Sequence, residues 1–194
     1  MDKTERAMRD ANIRGEKLTG WQEPDAGVCC KTNAAGENHI TQLAFALNNL
    51  DGPLPDLSPL VELDNLSACG NNITGAFPAF PPSIKTLRMY TNHMSGEIPA
   101  AISALTSMKF MSLGDNDFTG PTPDLSALSS MTDLYLDCNH LSGAVTNATN
   151  WGSYTGKCFL DASTLLEKCS KPTDNTFSCP LPANAKKTCH ATCK

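Results

Sequence analysis

The residues of this chain that could run acid–base chemistry are its four histidines, His39, His93, His140 and His190, and three carboxylates, Asp115, Asp133 and Asp137. General acid–base catalysis needs its groups within hydrogen-bond reach of one another or of one reacting atom. His93 and His140 each follow an asparagine, Asn92 and Asn139, at equivalent places in a repeated phrase. That places them as solvated turn residues two repeats apart, too distant to share a proton. Nothing beside the three aspartates supplies a nucleophile or a group that would raise a carboxyl pKa. Cys179, Cys189, His190 and Cys193 have zinc-ligand chemistry, but structural zinc sites favour tighter pairs such as C-x-x-C. A disulfide-bonded cap suits that spacing better. The expectation is a chain with no catalytic residue, no metal site and no cofactor, and so not an enzyme.

The nine cysteines are Cys29, Cys30, Cys69, Cys138, Cys158, Cys169, Cys179, Cys189 and Cys193, all candidates for disulfides. With few aromatics, this density reads as an oxidising compartment. Glycosylation sequons at Asn65, Asn72 and Asn147 agree with secretion. The odd count leaves at least one thiol single or paired between molecules, so a disulfide-linked oligomer is an option. A net charge of −5 with scattered Lys and Arg argues against nucleic acid as a partner. No apolar run approaches the ~18–20 residues of a membrane span, so no membrane insertion is expected. The start, Met1 to Arg6, is polar and unlike a secretory leader. The chain is therefore read as a mature form with Met1 as an added start.

What must position these groups is a repeated phrase, clearest from Met111 to Pro123: apolar at places 1 and 3, Asn at 6, apolar at 8, Gly at 10, Pro at 13. Further copies run through Leu43, Phe45, Asn48, Leu50, Gly52 and Pro55, and through Leu66, Ala68, Asn71, Ile73, Gly75 and Pro78. Another uses Leu87, Met89, Asn92, Met94, Gly96 and Pro99. The last uses Leu134, Leu136, Asn139, Leu141 and Gly143, with Thr146 in place of Pro. The five asparagines, Asn48, Asn71, Asn92, Asn116 and Asn139, are spaced 23, 21, 24 and 23 apart. That period falls within the ~20–29 residues of a leucine-rich repeat. Alternation along a strand turns the two apolar residues inward and the residues between them outward. The Asn stands where the chain leaves the strand, and its amide can satisfy backbone groups of neighbouring turns that are costly to bury alone. One repeat cannot bury its own apolar face, so only a stack is stable. Prolines 53, 59, 81, 82 and 121 disfavour long helices between phrases, leaving short 3₁₀ turns or a second strand.

The motif Leu-x-Leu-x-x-Asn-x-Leu-x-Gly-x-Ile-Pro, carried over about residues 20 to 182, resembles that of plant-type extracellular leucine-rich repeat proteins. The order of a helix over 4–13, Trp21, Asp25, Cys29-Cys30 and then His39 to Leu43 resembles their N-terminal cap, with Cys69 one candidate partner for the cysteine pair. Phe177-Ser178-Cys179-Pro180-Leu181-Pro182 is similar to a closing cap, and Asn175 opens a sixth, partial phrase after an insertion around residues 151 to 164. The resemblance implies an α/β repeat: a right-handed solenoid with a parallel concave sheet, a 3₁₀ or second-strand convex side and disulfide-bonded caps. The organisation is then an N-terminal cap over 1–39, five repeats over 40–146, and a degenerate repeat with a cysteine-rich cap over 147–194.

Outward positions on the concave strands give the candidate binding residues: Arg88, Tyr90, Lys109, Phe110, Ser112, Asp115, Asp133, Tyr135 and Asp137. Aromatics and arginine concentrate binding energy at interfaces, and aromatics beside carboxylates also suit sugar rings. The family includes polygalacturonase inhibitors, receptor ectodomains and protist wall proteins. The resemblance thus implies a secreted, non-catalytic binding protein for a protein, peptide or glycan. The alternative is a structural extracellular or cyst-wall protein that binds polysaccharide and cross-links through its cysteine-rich tail. The Ser/Thr column Thr74, Ser95, Thr119 and Ser142 invites an ice-binding reading, and backbone-satisfying turn chemistry accounts for it better.

Overall fold

The computed structural model describes residues 27–32, 34–145, 158–160 and 174–179, with the backbone alone at 158 and 159. The helix expected over 4–13, Trp21, Asn147, Cys169, Cys189, His190 and Cys193 lie outside these residues. The chain enters through an antiparallel hairpin of β1 (Gly27–Thr32) and β2 (Asn38–Ala44). Thereafter each phrase makes two short strands. The order is β3 (Asp51–Pro53), β4 (Asn65–Ser67), β5 (Asn72–Gly75), β6 (Thr86–Arg88), β7 (His93–Glu97) and, after a 3₁₀ helix at Ala100–Ala104, β8 (Phe110–Ser112). Then come β9 (Asp117–Thr122), β10 (Asp133–Tyr135), β11 (His140–Val145), β12 (Cys158–Phe159) and β13 (Thr176–Phe177). The strands sort into two sheets. One is ordered β1-β2-β4-β6-β8-β10-β12, the other β13-β11-β9-β7-β5-β3, and both are parallel from β2 and β3 onward. The result is a leucine-rich-repeat solenoid. Among the described residues its helical content is the single 3₁₀ helix, and no helix there is long and apolar enough to cross a membrane.

The register shows why the phrase repeats. Leu43, Leu66, Leu87, Met111 and Leu134 stand opposite one another on successive strands and are all buried. Ala68, Met89, Leu113 and Leu136 form a second buried row, and Ile73, Met94, Phe118 and Leu141 a third from the other sheet. Ile84, Met108 and Met131 close the core from the segment leading into each strand. Phe77 stands edge-on to Phe80, with centroids 5.3 Å apart, and tilts towards Phe118 at 6.4 Å. These rows join into one continuous cluster from Leu43 to Phe177.

The bend after each concave strand is held by an asparagine amide. Asn116 donates from Nδ2 to Met89 O on the preceding turn and Leu113 O on its own, while its Oδ1 accepts Met94 N–H at 3.0 Å. Asn71, Asn92 and Asn139 repeat this pattern one turn apart, and Asn175 continues it by bonding Leu136 O and Leu141 N–H. The residue before each turn asparagine has positive φ: Leu47 56°, Gly70 65°, Thr91 54°, Asp115 57° and Cys138 56°. Four of the five are not glycine, so the cost of the left-handed conformation is met by the bonds that follow it. Four residues past Asn116, Gly120 (φ +76°) lies where a Cβ would meet the Glu97 side chain at 2.8 Å. On the convex side Asp56 and Asp124 accept the backbone N–H of Ser58 and Ser126 at 2.8 Å. Hydrogen bonds from the Ser58 side chain and backbone hold the Asp56 carboxyl below its ordinary range, and those from the Ser126 backbone and side chain do the same for Asp124.

Asn48 departs from the role expected of it. It is exposed, and its Nδ2 returns to Ala46 O of its own turn. Its backbone N–H is what the ladder uses, donating to Asn71 Oδ1 at 2.9 Å. The rungs reach backwards, and at this position the antiparallel hairpin takes the place of a preceding parallel coil. The cysteines divide likewise. Cys138 and Cys179 each take part in a disulfide. Cys29, Cys30 and Cys69 are thiols, so a bridge from the Cys29-Cys30 pair to Cys69 is not formed.

Asn116→Ala leaves four backbone groups without this partner in a site that excludes water. At roughly 1–3 kcal/mol per unsatisfied buried group, partly relieved by relaxation, it is expected to destabilise the fold by about 3–5 kcal/mol. Asn48→Ala, at an exposed position, is expected to cost under about 1 kcal/mol. Urea denaturation of the two variants checks the contrast, and equal losses would contradict the ladder's direction.

Candidate functional site: the concave face

Three outward rows cross the concave sheet. The first is Gln42, Asn65, Thr86, Phe110 and Asp133, and the second Ala44, Ser67, Arg88, Ser112 and Tyr135. The third, just past the strands, holds Ala46, Cys69, Tyr90, Gly114 and Asp137, tied together by backbone bonds such as Gly70 N–H to Tyr90 O and Thr91 N–H to Gly114 O. Parallel strands ~4.8 Å apart force large side chains in neighbouring rows to lie against one another. The Arg88 guanidinium carbon sits 4.7 Å from the Phe110 ring centroid. Phe110 in turn leans on Tyr135, centroids 5.7 Å apart and planes at 39°. A cation, an aromatic face and a phenol thus make one zigzag across β6, β8 and β10, with Phe110 in one row and Arg88 and Tyr135 in the next. Cation–π contact and tilted ring packing are each worth about 0.5–1.5 kcal/mol, which stiffens this trio before any ligand arrives.

The expected patch is not uniformly open. Tyr90, Ser112, Asp115, Tyr135 and Asp137 are buried, Tyr135 to 2% and Asp137 to 0% exposure. Arg88, Phe110 and Asp133 are half-buried and Lys109 is exposed. The alternation that turns a side chain away from the core does not keep it in water, because the next row lies over it. Tyr90 packs with Cys69 and Ala46 as a second, smaller apolar cluster outside the main core. The Asp137 carboxylate fills the space that Gly114 leaves, with Oδ1 2.9 Å from where a Cβ would stand. Asp133 Oδ2 accepts the Thr132 hydroxyl at 2.8 Å. Asp133 and Asp137 therefore meet different local groups, one a hydroxyl and the other the gap beside a glycine.

Sequence reasoning missed a polar cleft of about 360 Å³ on the flank where the chain enters the strands. Lys31, His39, Asp64, Ser83 and Lys85 line it, with Lys85 Nζ 3.2 Å from Asp64 Oδ2. The only signal for it was the position of Asp64 and Lys85 ahead of successive L-x-L segments, since the hairpin that walls the cleft carries no repeat motif.

No family model matches this chain. It is 30% identical over 149 residues to pollen receptor-like kinase 2 of Arabidopsis thaliana, covering 75% of this chain and 22% of that protein. Its fold is similar to the leucine-rich-repeat ectodomain of the receptor kinase SOBIR1 from Arabidopsis thaliana. The TM-score is 0.62 at 22% identity, over 83% of this chain and 92% of that one. The plant peptide hormone receptor RGFR1 in complex with RGF2 matches with a TM-score of 0.58 and 24% identity, over 75% of this chain and 22% of the receptor. The chain spans 10% and 22% of the length of the first two curated relatives it matches. With its repeat phrase, back-reaching asparagine rungs and paired parallel sheets, the chain belongs to the plant-type extracellular leucine-rich repeat proteins.

Proposed function

We propose that this chain is a non-catalytic recognition module that holds an extracellular peptide, or a segment of a protein, across its concave sheet. The observation that carries this reading is the zigzag of Arg88, Phe110 and Tyr135, a pre-ordered contact among the residue types that dominate binding energy at interfaces. Arg88 and Phe110 meet the ligand, Tyr135 backs Phe110, and Lys109 and Asp133 flank it with opposite charges. Support comes from RGFR1, a similar fold described as a peptide hormone receptor in complex with RGF2. Positioning an extended chain needs no paired nucleophile and base. The division into an N-terminal cap over 1–39, repeats over 40–146 and a closing region over 147–194 belongs to the same reading, as does an extracellular location.

Peptides selected from a displayed random library on the folded protein test the proposal. Arg88→Ala with Phe110→Ala is expected to weaken them at least about tenfold, a loss of ~1.4 kcal/mol. Val61→Ser, at an exposed convex position, should leave them unchanged. Selected peptides indifferent to the double variant would overturn the proposal. So would binding to immobilised polysaccharides alone with Cys30-dependent dimers on a non-reducing gel, the pattern of a wall protein.

Extracellular passage also distinguishes the sequons. Asn72 opens β5 exposed to solvent, whereas Asn65 lies on the concave sheet with its Oδ1 buried. Glycopeptide mass spectrometry of protein made through a secretory pathway is expected to find glycan on Asn72 and none on Asn65. The reverse occupancy would contradict the placement of these strands.

A further inference from the structure

The residue directly after a ladder asparagine stands at the solenoid's flank, and in three successive turns it is His93, Asp117 and His140. Both histidines are exposed, as turn residues should be, yet they are not independent. His93 Nδ1 lies 3.7 Å from Asp117 Oδ2, and His140 Nε2 lies 3.7 Å from Asp117 Oδ1. One carboxylate faces an imidazole on either side, each through its own oxygen. At 3.7 Å these contacts are longer than the ~2.7–3.2 Å of a hydrogen bond. Each alone is close to the ~3.3–3.5 Å between two donors held ~2.0–2.1 Å from a tetrahedral zinc ion. The two contacts use different carboxylate oxygens, however, so a shared ion requires all three side chains to turn inward.

Among the described residues no three such side chains already converge on one point. Convergence here needs only side-chain rotation. The two imidazoles are 48% and 42% exposed and the carboxylate 32%, so the group lies at the surface and outside the apolar core. The backbone beneath them is fixed, because Asn92, Asn116 and Asn139 are buried and bonded to the preceding turns.

We propose that His93, Asp117 and His140 form a surface site for a divalent first-row transition ion of the zinc class. Two imidazole nitrogens and one carboxylate oxygen supply three ligands, and water completes the fourth position. Imidazole selects such ions over calcium or magnesium, which prefer all-oxygen shells. The bound ion spans three turns from outside, so it stabilises the folded solenoid by mass action. It plays no part in the peptide reading above, and it departs from the absence of a metal site that the sequence alone suggests.

Calorimetric titration of the whole chain with zinc chloride at pH 7.5 tests the proposal, with magnesium and calcium chlorides as comparison ions. One saturable zinc site is expected, with no saturable heat from the other two. His93→Gln, His140→Gln and Asp117→Asn should each weaken zinc binding at least about tenfold. Lowering the pH to 5.5 should weaken it too, because an imidazole must be neutral to bind metal. Thermal melts in chelator should match wild type for all three variants. If one variant melts early, imidazole NMR of the wild type decides: the ring signals of His93 and His140 must move with added zinc. Absence of a saturable zinc site overturns the proposal. So do ring signals that stay fixed, or zinc binding that survives His93→Gln with His140→Gln, which would place the ion elsewhere, for example at Cys30 and His39.

Discussion

Among the described residues, successive coils turn a corner whose backbone groups face inward, away from water, and the side-chain amides of Asn71, Asn92, Asn116, Asn139 and Asn175 satisfy them. A buried N–H or C=O left alone costs about 1–3 kcal/mol, so a stack of unsatisfied bends would cancel much of what its apolar rows contribute. The amide solves this with one residue because it both donates and accepts. Asn92, Asn116 and Asn139 each bond to their own turn and to the turn before. Leucine rows alone would collapse the chain. The amides fix the separation and phase of its coils.

Most of the architecture was legible because it rests on this repetition. Leu66, Leu87, Met111 and Leu134 recur at a fixed distance from an asparagine, and only a stacked strand explains that spacing. Asn175 was legible as a sixth phrase although Cys179 stands where glycine should be. The direction of the ladder was not legible. Nothing in the local sequence around Asn48 separates it from Asn92, and its different fate follows from the hairpin that precedes it. Tertiary neighbours decided the role, as they do wherever identical local sequence meets a different surface.

The candidate site was legible in its residue types and only partly in its exposure. Alternation identified Arg88, Phe110, Ser112 and Tyr135 as outward; the register sets them in two neighbouring rows, in which Ser112 and Tyr135 are buried. Burial of Tyr90, Tyr135 and Asp137 could not be read from alternation, because it depends on how a ring from one coil lies across the next. Gly114 shows the same point. Its missing side chain is the room into which Asp137 folds, and that relation joins residues of different turns. The histidines carry the lesson to the flank, where single equivalent positions looked isolated until three were seen side by side.

The reversal of β1 against β2 has a consequence for how molecules of this kind meet. A bare terminal coil offers the same hydrogen-bonding edge as any interior one, which invites a second molecule to dock head to tail and then a third, without limit. A strand running the opposite way presents donors and acceptors in the wrong phase for that addition. The hairpin therefore replaces the parallel edge of β2 by an antiparallel one, so a second molecule's parallel strand does not find there the pairing that β4 has, while β3 ends the other sheet.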